Sequence, residues 1–191
     1  MLKYVVVKYL ASDIQTSSIE VRYRTDMTDD LTDHLLGGWA GARPELDMGP
    51  LQVTGRLSRI GPLLARRQES VFSRFGLNRG EVGALSALRV SGPPHRLSPT
   101  RLGRGLMLSS AGVTSRIDRL ERRGFVRRLP DPDDRRGVIV ELTDRGLEVV
   151  DGAVAALAIS DRQLLERLDA QEIAQFEAIL RKLLGGLELP E

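Results

Sequence analysis

Short hydroxyl side chains and arginines recur at helical spacing between residues 110 and 122. On a helical wheel, Val113, Ile117 and Leu120 form one apolar stripe. The other side and its edges carry our candidates for contact with base edges: Ser110, Thr114, Ser115 and Arg119. A hydroxyl lets a helix approach closely, and a guanidinium can bond two guanine acceptors at once. The pattern therefore predicts a helix that reads duplex DNA, with an ordinary solvated amphipathic helix as the alternative.

The distribution of charge supports a nucleic-acid partner. Residues 96–145 contain twelve Arg against seven acidic residues, a balance of +5, whereas residues 146–191 have a balance of −5. A basic middle segment is typical of a surface that binds phosphates. Our candidates for the DNA backbone or the minor groove are Arg101, Arg122, Arg135 and Arg136.

The elements that position these residues follow from local signals. Ser98-Pro99 predicts a helix start, and Ser109 or Ser110 predicts the cap of a second helix that runs to Arg123. Gly124 then supplies the left-handed residue that ends it. Two strand-like runs, 125–129 and 138–142, flank a charged turn, and residues 95–97 are predicted to form a third strand. This order predicts a winged helix–turn–helix.

The flanking segments are predicted to be helical, so the fold class is mainly α with a small β-wing. We expect helices at 28–42, 51–75, 78–90, 144–168 and from 170 onward, with a kink or break at Gly61-Pro62. The DNA-binding lobe then spans about 78–143, between dimerisation helices at about 28–76 and 144–187. The two terminal helices are apolar enough to pack against a second copy of the chain. The alternative is that they close the core of one chain.

The central motifs resemble those of the MarR family of bacterial transcriptional regulators. The resemblance rests on Ser109-Ser110, on the run Thr114-Ser-Arg-Ile-Asp-Arg-Leu-Glu-Arg-Arg-Gly124, on Asp131-Pro-Asp-Asp-Arg-Arg136 and on Leu142-Thr143, and it covers roughly residues 50–185. It implies a cytoplasmic homodimer that represses transcription at a pseudo-palindromic operator. In such a homodimer the two recognition helices would enter successive major grooves, and the wing arginines would reach the minor groove.

Residues 1–26 have no counterpart in that family. The runs 4–7 and 19–23 look like strands, and the segment lacks the pattern of a signal peptide. We expect translation to start at Met27, which would make residues 1–26 an upstream extension. The alternative is an arm that swaps a strand with another chain.

A branch of the MarR family that responds to urate resembles this chain at three positions. Trp39, Arg104 and Arg116 match a tryptophan on an added N-terminal helix and two arginines near the DNA-binding lobe. The resemblance implies a small organic anion as effector, although Gly83 stands where that branch has an acidic residue. A core anchor at Trp39 and a phosphate clamp at Arg104 are the structural alternatives.

Other functional classes find little support. The sequence contains no cysteine, which is compatible with a reducing cytoplasm and excludes thiol catalysis. His34 and His95 lack metal-ligand spacing. The acidic cluster Asp131, Asp133 and Asp134 suggests either a cation site or a turn that pairs with its own arginines. We expect no enzyme, no cofactor and no metal. The remaining alternative is a winged-helix module that binds protein or RNA.

Overall fold

The computed structural model describes residues 29–106, 109–132, 134 and 137–188. These residues form seven helices and three strands in the order α1 (Leu31–Ala42), α2 (Gly49–Ser73), α3 (Arg79–Val90), β1 (Arg96–Leu97), α4 (Pro99–Leu106), α5 (Ser110–Arg122), β2 (Val126–Pro130), β3 (Val138–Leu142), α6 (Asp144–Leu165) and α7 (Ala170–Leu187). The chain divides into two compact units, of which the first ends at Gly61 and the second begins at Pro62. The expectation for residues 1–26 lies outside the described residues.

The first unit is organised by the start of α1. Asp30 caps this helix by accepting hydrogen bonds from the backbone of Thr32 and Asp33, at 2.6 and 3.2 Å. Arg56 on α2 then bridges the carboxylates of Asp30 and Asp33, at 3.0 and 2.7 Å. The hydrogen bond from Arg56 is the main reason that the pKa of Asp33 lies below its ordinary value. Leu36 is buried in this unit, whereas Trp39 on the same helix is 54% exposed.

The core of the second unit lies between α3, α4, α5, α6 and a small sheet. Its largest fully buried side chains come from all of these elements: Leu85, Leu88, Leu102, Ile117, Leu120, Val126, Val140 and Val150. The helices present one apolar stripe each, so the stripes must meet to be removed from water. The predicted inner positions of α5 (Val113, Ile117 and Leu120) are therefore confirmed.

The sheet holds the wing, which we define as the hairpin of β2 and β3. Its strand order is β1-β3-β2, and both pairs are antiparallel. Arg96 and Arg127 both lie opposite Glu141, and Leu97 lies opposite Val140. The predicted third strand is thus confirmed as β1. Gly124 has φ = 72°, the left-handed conformation expected at the end of α5.

The structure differs from the sequence prediction at Pro62. The prediction placed a kink or break there, but α2 continues through this residue to Ser73. Proline removes a single backbone donor, and the helical bonds on either side remain. Both Gly61 and Pro62 are exposed, so no packed neighbour forces the local backbone out of the helical path. α2 is therefore not interrupted at Pro62, and the kink stays a prediction.

The C-terminal helix leaves its apolar residues in solvent. None of the residues of α7 is buried in the described chain. Its exposed large apolar residues are Phe176, Ile179, Leu183, Leu184 and Leu187, and α6 adds Val154, Ile159 and Leu164. α7 therefore adds no buried residue to the core of the described chain. None of the described helices is long and apolar enough to cross a membrane.

Candidate nucleic-acid interface

The helix–turn–helix is formed by α4 and α5. The hydroxyl of Ser98 accepts from the backbone of Arg101 at 3.3 Å, and the hydroxyl of Ser109 accepts from the backbone of Gly112 at the same distance. Each cap satisfies a backbone donor that the first turn of a helix leaves free. The two predicted helix starts are confirmed.

The two sides of α5 differ as its sequence predicts. Val113, Ile117 and Leu120 are 4%, 1% and 1% exposed. The opposite side presents Thr114, Ser115 and Arg122 to solvent, and Ser110 begins the helix. Arg101 lies exposed in the first turn of α4. Packing on one side therefore leaves a polar, basic face on the other, as a helix that enters a major groove requires.

Arg119 lies on this face but is already engaged within the protein. Its Nη1 donates to the hydroxyl of Ser115 at 2.9 Å, and its Nε donates to Oε1 of Glu81 at 3.3 Å. The Glu81 side chain is only 6% exposed. Glu81 was not among the predicted site residues. Its position three residues after Asn78 predicts a helix cap, and no local pattern reports a partner on α5.

An arginine of the wing, Arg128, joins β2 to α5. Arg128 on β2 donates to the carboxylates of Asp118, at 2.5 Å, and Glu121. Burial alone would lower the pKa of Arg128, but these hydrogen bonds outweigh it and raise the pKa above its ordinary value. The wing is therefore fixed to α5 by charge-assisted hydrogen bonds. Asp118 is thus paired with an arginine of the wing.

The outer side of the sheet carries a further pair of arginines. Glu141 accepts from Arg127 Nε at 2.8 Å and also from Arg96 across the sheet. Burial alone would raise the pKa of Glu141, but the hydrogen bonds from Arg96 and Arg127 leave the pKa below its ordinary value. The carboxylate is thus held ionised between three strands. The predicted wing residues Arg135 and Arg136 lie outside the described residues.

The three candidate effector residues occupy different elements. Trp39 belongs to the first unit. Its side chain is 54% exposed, so it does not anchor the core of that unit. Arg104 is exposed in the last turn of α4. Arg116 is half-buried against α3, where its guanidinium would lie 2.4 Å from a Cβ placed on Gly80. Its buried Nε has no hydrogen-bond partner within the described chain.

An open cleft of about 520 Å³ lies beside the end of α5. Its lining combines the end of α2, the start of α3 and the end of α5: Ser73, Gly76, Leu77, Asn78, Glu81, Arg119, Arg122 and Arg123. Arg104 and Arg116 do not line this cleft. Within the described residues, no cluster of histidine, aspartate and glutamate could hold a metal ion.

Comparisons with known proteins agree with this geometry. Residues 75–137 match a family model described as MarR family. The chain is 37% identical to the HTH-type transcriptional regulator PecS of Dickeya dadantii (strain 3937) over 150 residues, which cover 78% of this chain and 88% of that protein. Its structure is similar to that of Sco3205, a MarR family transcriptional regulator from Streptomyces coelicolor solved in complex with DNA, with a TM-score of 0.66, 27% identity and coverage of 75% of this chain and 91% of that one. For wild-type MarR from E. coli in its apo form, the TM-score is 0.60 at 28% identity, with coverage of 68% and 95%.

Proposed function

This chain belongs to the MarR family of DNA-binding transcriptional regulators, and we propose that it acts as a homodimeric repressor whose operator binding is relieved by a small organic anion. The observation that carries the proposal is the face of α5, which exposes hydroxyls and arginines while its apolar stripe is buried. A repressor of this kind acts on chromosomal DNA, so we place it in the cytoplasm.

We assign two kinds of DNA contact. Ser110, Thr114, Ser115 and Arg119 would meet base edges, because they belong to the helix that enters the major groove. Arg101, Arg122, Arg135 and Arg136 would bind phosphates or the minor groove, where positive charge gives affinity without sequence preference. Arg122 suits a phosphate, since its only described hydrogen bond goes to the backbone oxygen of Asp118, at 3.2 Å.

Selection from a pool of random duplexes tests the function directly. We expect two inverted half-sites whose centres lie about 10 base pairs apart, because a two-fold dimer presents two identical helices to one side of the duplex. Retention of duplexes without a common sequence would contradict operator recognition. Preferential retention of RNA in a parallel pool would favour the alternative function, a winged-helix module that binds RNA.

Arg119 and Arg122 are expected to affect binding differently. Replacing Arg119 by Ala should cost about 1–3 kcal/mol at one or two base positions of the selected operator. Replacing Arg122 by Ala should weaken all sequences alike and reduce the magnitude of the log–log salt slope by about 0.9 per recognition helix. The measurement is affinity for single-base operator variants over a range of salt concentrations. Equal salt slopes and unchanged base preferences in both variants would contradict the assignment.

The homodimer is proposed from the exposed apolar residues of α6 and α7. A single chain leaves Phe176 and Leu183 41% exposed and Ile179 54% exposed along one helix. Contiguous apolar surface of this kind is covered by another protein surface in most soluble proteins. A second copy is the occupant that also explains operator symmetry, because an isologous interface relates two recognition helices by a two-fold axis.

An anionic effector is proposed from the surroundings of Arg116. Its guanidinium lies against Gly80 in the first turn of α3, where the helix dipole is positive. The buried Nε has no described partner, and an anion would satisfy both the donor and the charge. Trp39 serves here as the fluorescent reporter, since it belongs to the first unit and Arg116 to the second. Gly83 removes the acidic residue of the urate-responsive branch, so the proposal is limited to the class of small organic anions.

Binding of such an anion is expected to quench Trp39 fluorescence and weaken the operator complex. Trp39 is the only tryptophan, so the signal reports on one position. A panel with benzoate and urate as the first probes is titrated without DNA and then with operator. A tenfold loss of operator affinity requires about 1.4 kcal/mol of coupling.

The variants Arg104→Ala and Arg116→Ala should lose affinity for the active probe in the absence of DNA. Arg89→Ala is the matched control, because Arg89 is an exposed arginine that pairs with Asp151 at 2.9 Å. Unchanged affinity in both Arg104→Ala and Arg116→Ala would locate the effector site elsewhere. If no anion in the panel changes fluorescence or operator binding, the effector proposal fails.

A further inference from the structure

Glu81 is a buried carboxylate that links the start of α3 to the recognition helix. Its side chain is 6% exposed. Oε2 accepts from the backbone of Asn78 at 3.1 Å and lies 3.6 Å from Nη1 of Arg123, while Oε1 accepts from Nε of Arg119. One carboxylate therefore contacts two arginines at the end of α5 as well as its own helix start.

Helix capping does not account for the negative charge. A capping box needs only an acceptor at this position, and glutamine serves as well as glutamate. Asn78 and Glu69 already accept from the backbone of Glu81 and Arg79, at 2.9 and 3.0 Å. A buried ionised group is costly unless it is paired. The charge is explained by the two guanidiniums that it faces.

The contacts of Arg119 leave part of its guanidinium available. An arginine has five N–H donors. Glu81 and Ser115 occupy one donor on Nε and one on Nη1, so three donors remain for a base. A long side chain that is already held loses less rotamer freedom on binding. The carboxylate of Glu81 thus fixes one edge of the guanidinium and leaves the other edge for readout.

We propose that Glu81 is a positioning residue for DNA recognition, which holds Arg119 in the orientation that reads a base. The inference rests on the proposed function of α5 as the reading helix. It predicts that the base preference carried by Arg119 depends on a residue that lies 38 positions away in the chain and is almost inaccessible to solvent.

The decisive experiment compares Glu81→Gln with Glu69→Gln by duplex selection and by affinity for single-base operator variants. Glutamine keeps the shape and the cap but removes the charge that holds Arg119. We expect Glu81→Gln to lose about tenfold of discrimination at the base positions that Arg119→Ala affects. The double variant Glu81→Gln/Arg119→Ala should lose no more discrimination at those base positions than Arg119→Ala alone. Glu69→Gln removes a carboxylate from the same helix start, and no described contact joins it to α5, so it should retain the wild-type profile.

A wild-type base profile in Glu81→Gln would overturn the inference, as would an equal loss in Glu69→Gln. Failure of the wild-type protein to select any sequence would instead contradict the proposed function. If Glu81→Gln does not fold, Glu81→Asp decides by the same measurement, because it keeps the charge but withdraws the carboxylate by one methylene. Loss of the Arg119-dependent preference in Glu81→Asp supports the inference, and its retention contradicts it.

Discussion

Replacing both Phe176 and Leu183 by Asp is expected to convert the protein to a folded monomer and to weaken operator binding by about 100-fold or more. The two side chains lie on α7 and are each 41% exposed in the single chain, so the new carboxylates can remain hydrated there. In the proposed interface they would be buried without partners, which is unfavourable for association. Binding to two half-sites then loses the gain that comes from joining two recognition helices.

Sedimentation and operator titration measure the two effects on the same samples. Val90→Asp is the control for replacing an exposed apolar residue by a charge, since Val90 is 83% exposed at the end of α3. It should remain dimeric and bind normally. A variant of α7 that stays dimeric would show that this helix does not form the interface. A folded monomer with wild-type operator affinity would contradict the link between dimerisation and DNA binding.

Gly146→Ala is expected to destabilise the protein by about 3 kcal/mol. Gly146 lies in the first turn of α6, where a Cβ would come within 2.0 Å of the carbonyl oxygen of Phe125 and 2.8 Å of Leu142 Cδ1. The hydroxyl of Thr143 accepts from the backbone of Gly146 at 3.0 Å and also contacts the oxygens of Gly124 and Phe125. Helix and wing are therefore too close for any side chain at this position.

Denaturant and thermal unfolding measure this effect, which corresponds to a decrease of roughly 6–12 °C in Tm for a chain of this size. Gly105→Ala is the control, because nothing lies within 4 Å of a Cβ at Gly105 in α4. Alanine is the better helix former, so this change should stabilise the protein by no more than about 1 kcal/mol. Equal stability of the Gly146→Ala and wild-type proteins would show that the backbone at the start of α6 can move away from Phe125.

The candidate site was predicted from sequence where it depends on neighbouring residues. The stripe of Val113, Ile117 and Leu120 determines which side of α5 is buried and hence which side faces solvent. The exposed positions of Thr114, Ser115 and Arg122 follow from the same periodicity. A helical repeat is a property of a few consecutive residues, so it can be read without knowledge of the rest of the chain.

The sequence did not predict which polar side chains pair across the fold. Arg119 was assigned to DNA alone, and the structure adds a buried partner from α3. Arg128 was not assigned to any site, yet it joins β2 to two carboxylates of α5. These partners are brought together only when separate elements pack, and an arginine in the sequence has the same charge whichever acidic residue it meets. The pairing is therefore a tertiary property.

The sequence by itself determined the helices, the wing and the polar face of α5, because caps, left-handed glycines and apolar periodicity act over a few residues. Asn78, Ser109, Thr143 and Asp169 each cap the helix that follows them. Only the tertiary structure decided that Glu81 pairs with Arg119 and that α7 keeps its apolar face exposed. Burial and ion pairing depend on distances between residues far apart in the chain, and those distances exist only after the core has formed.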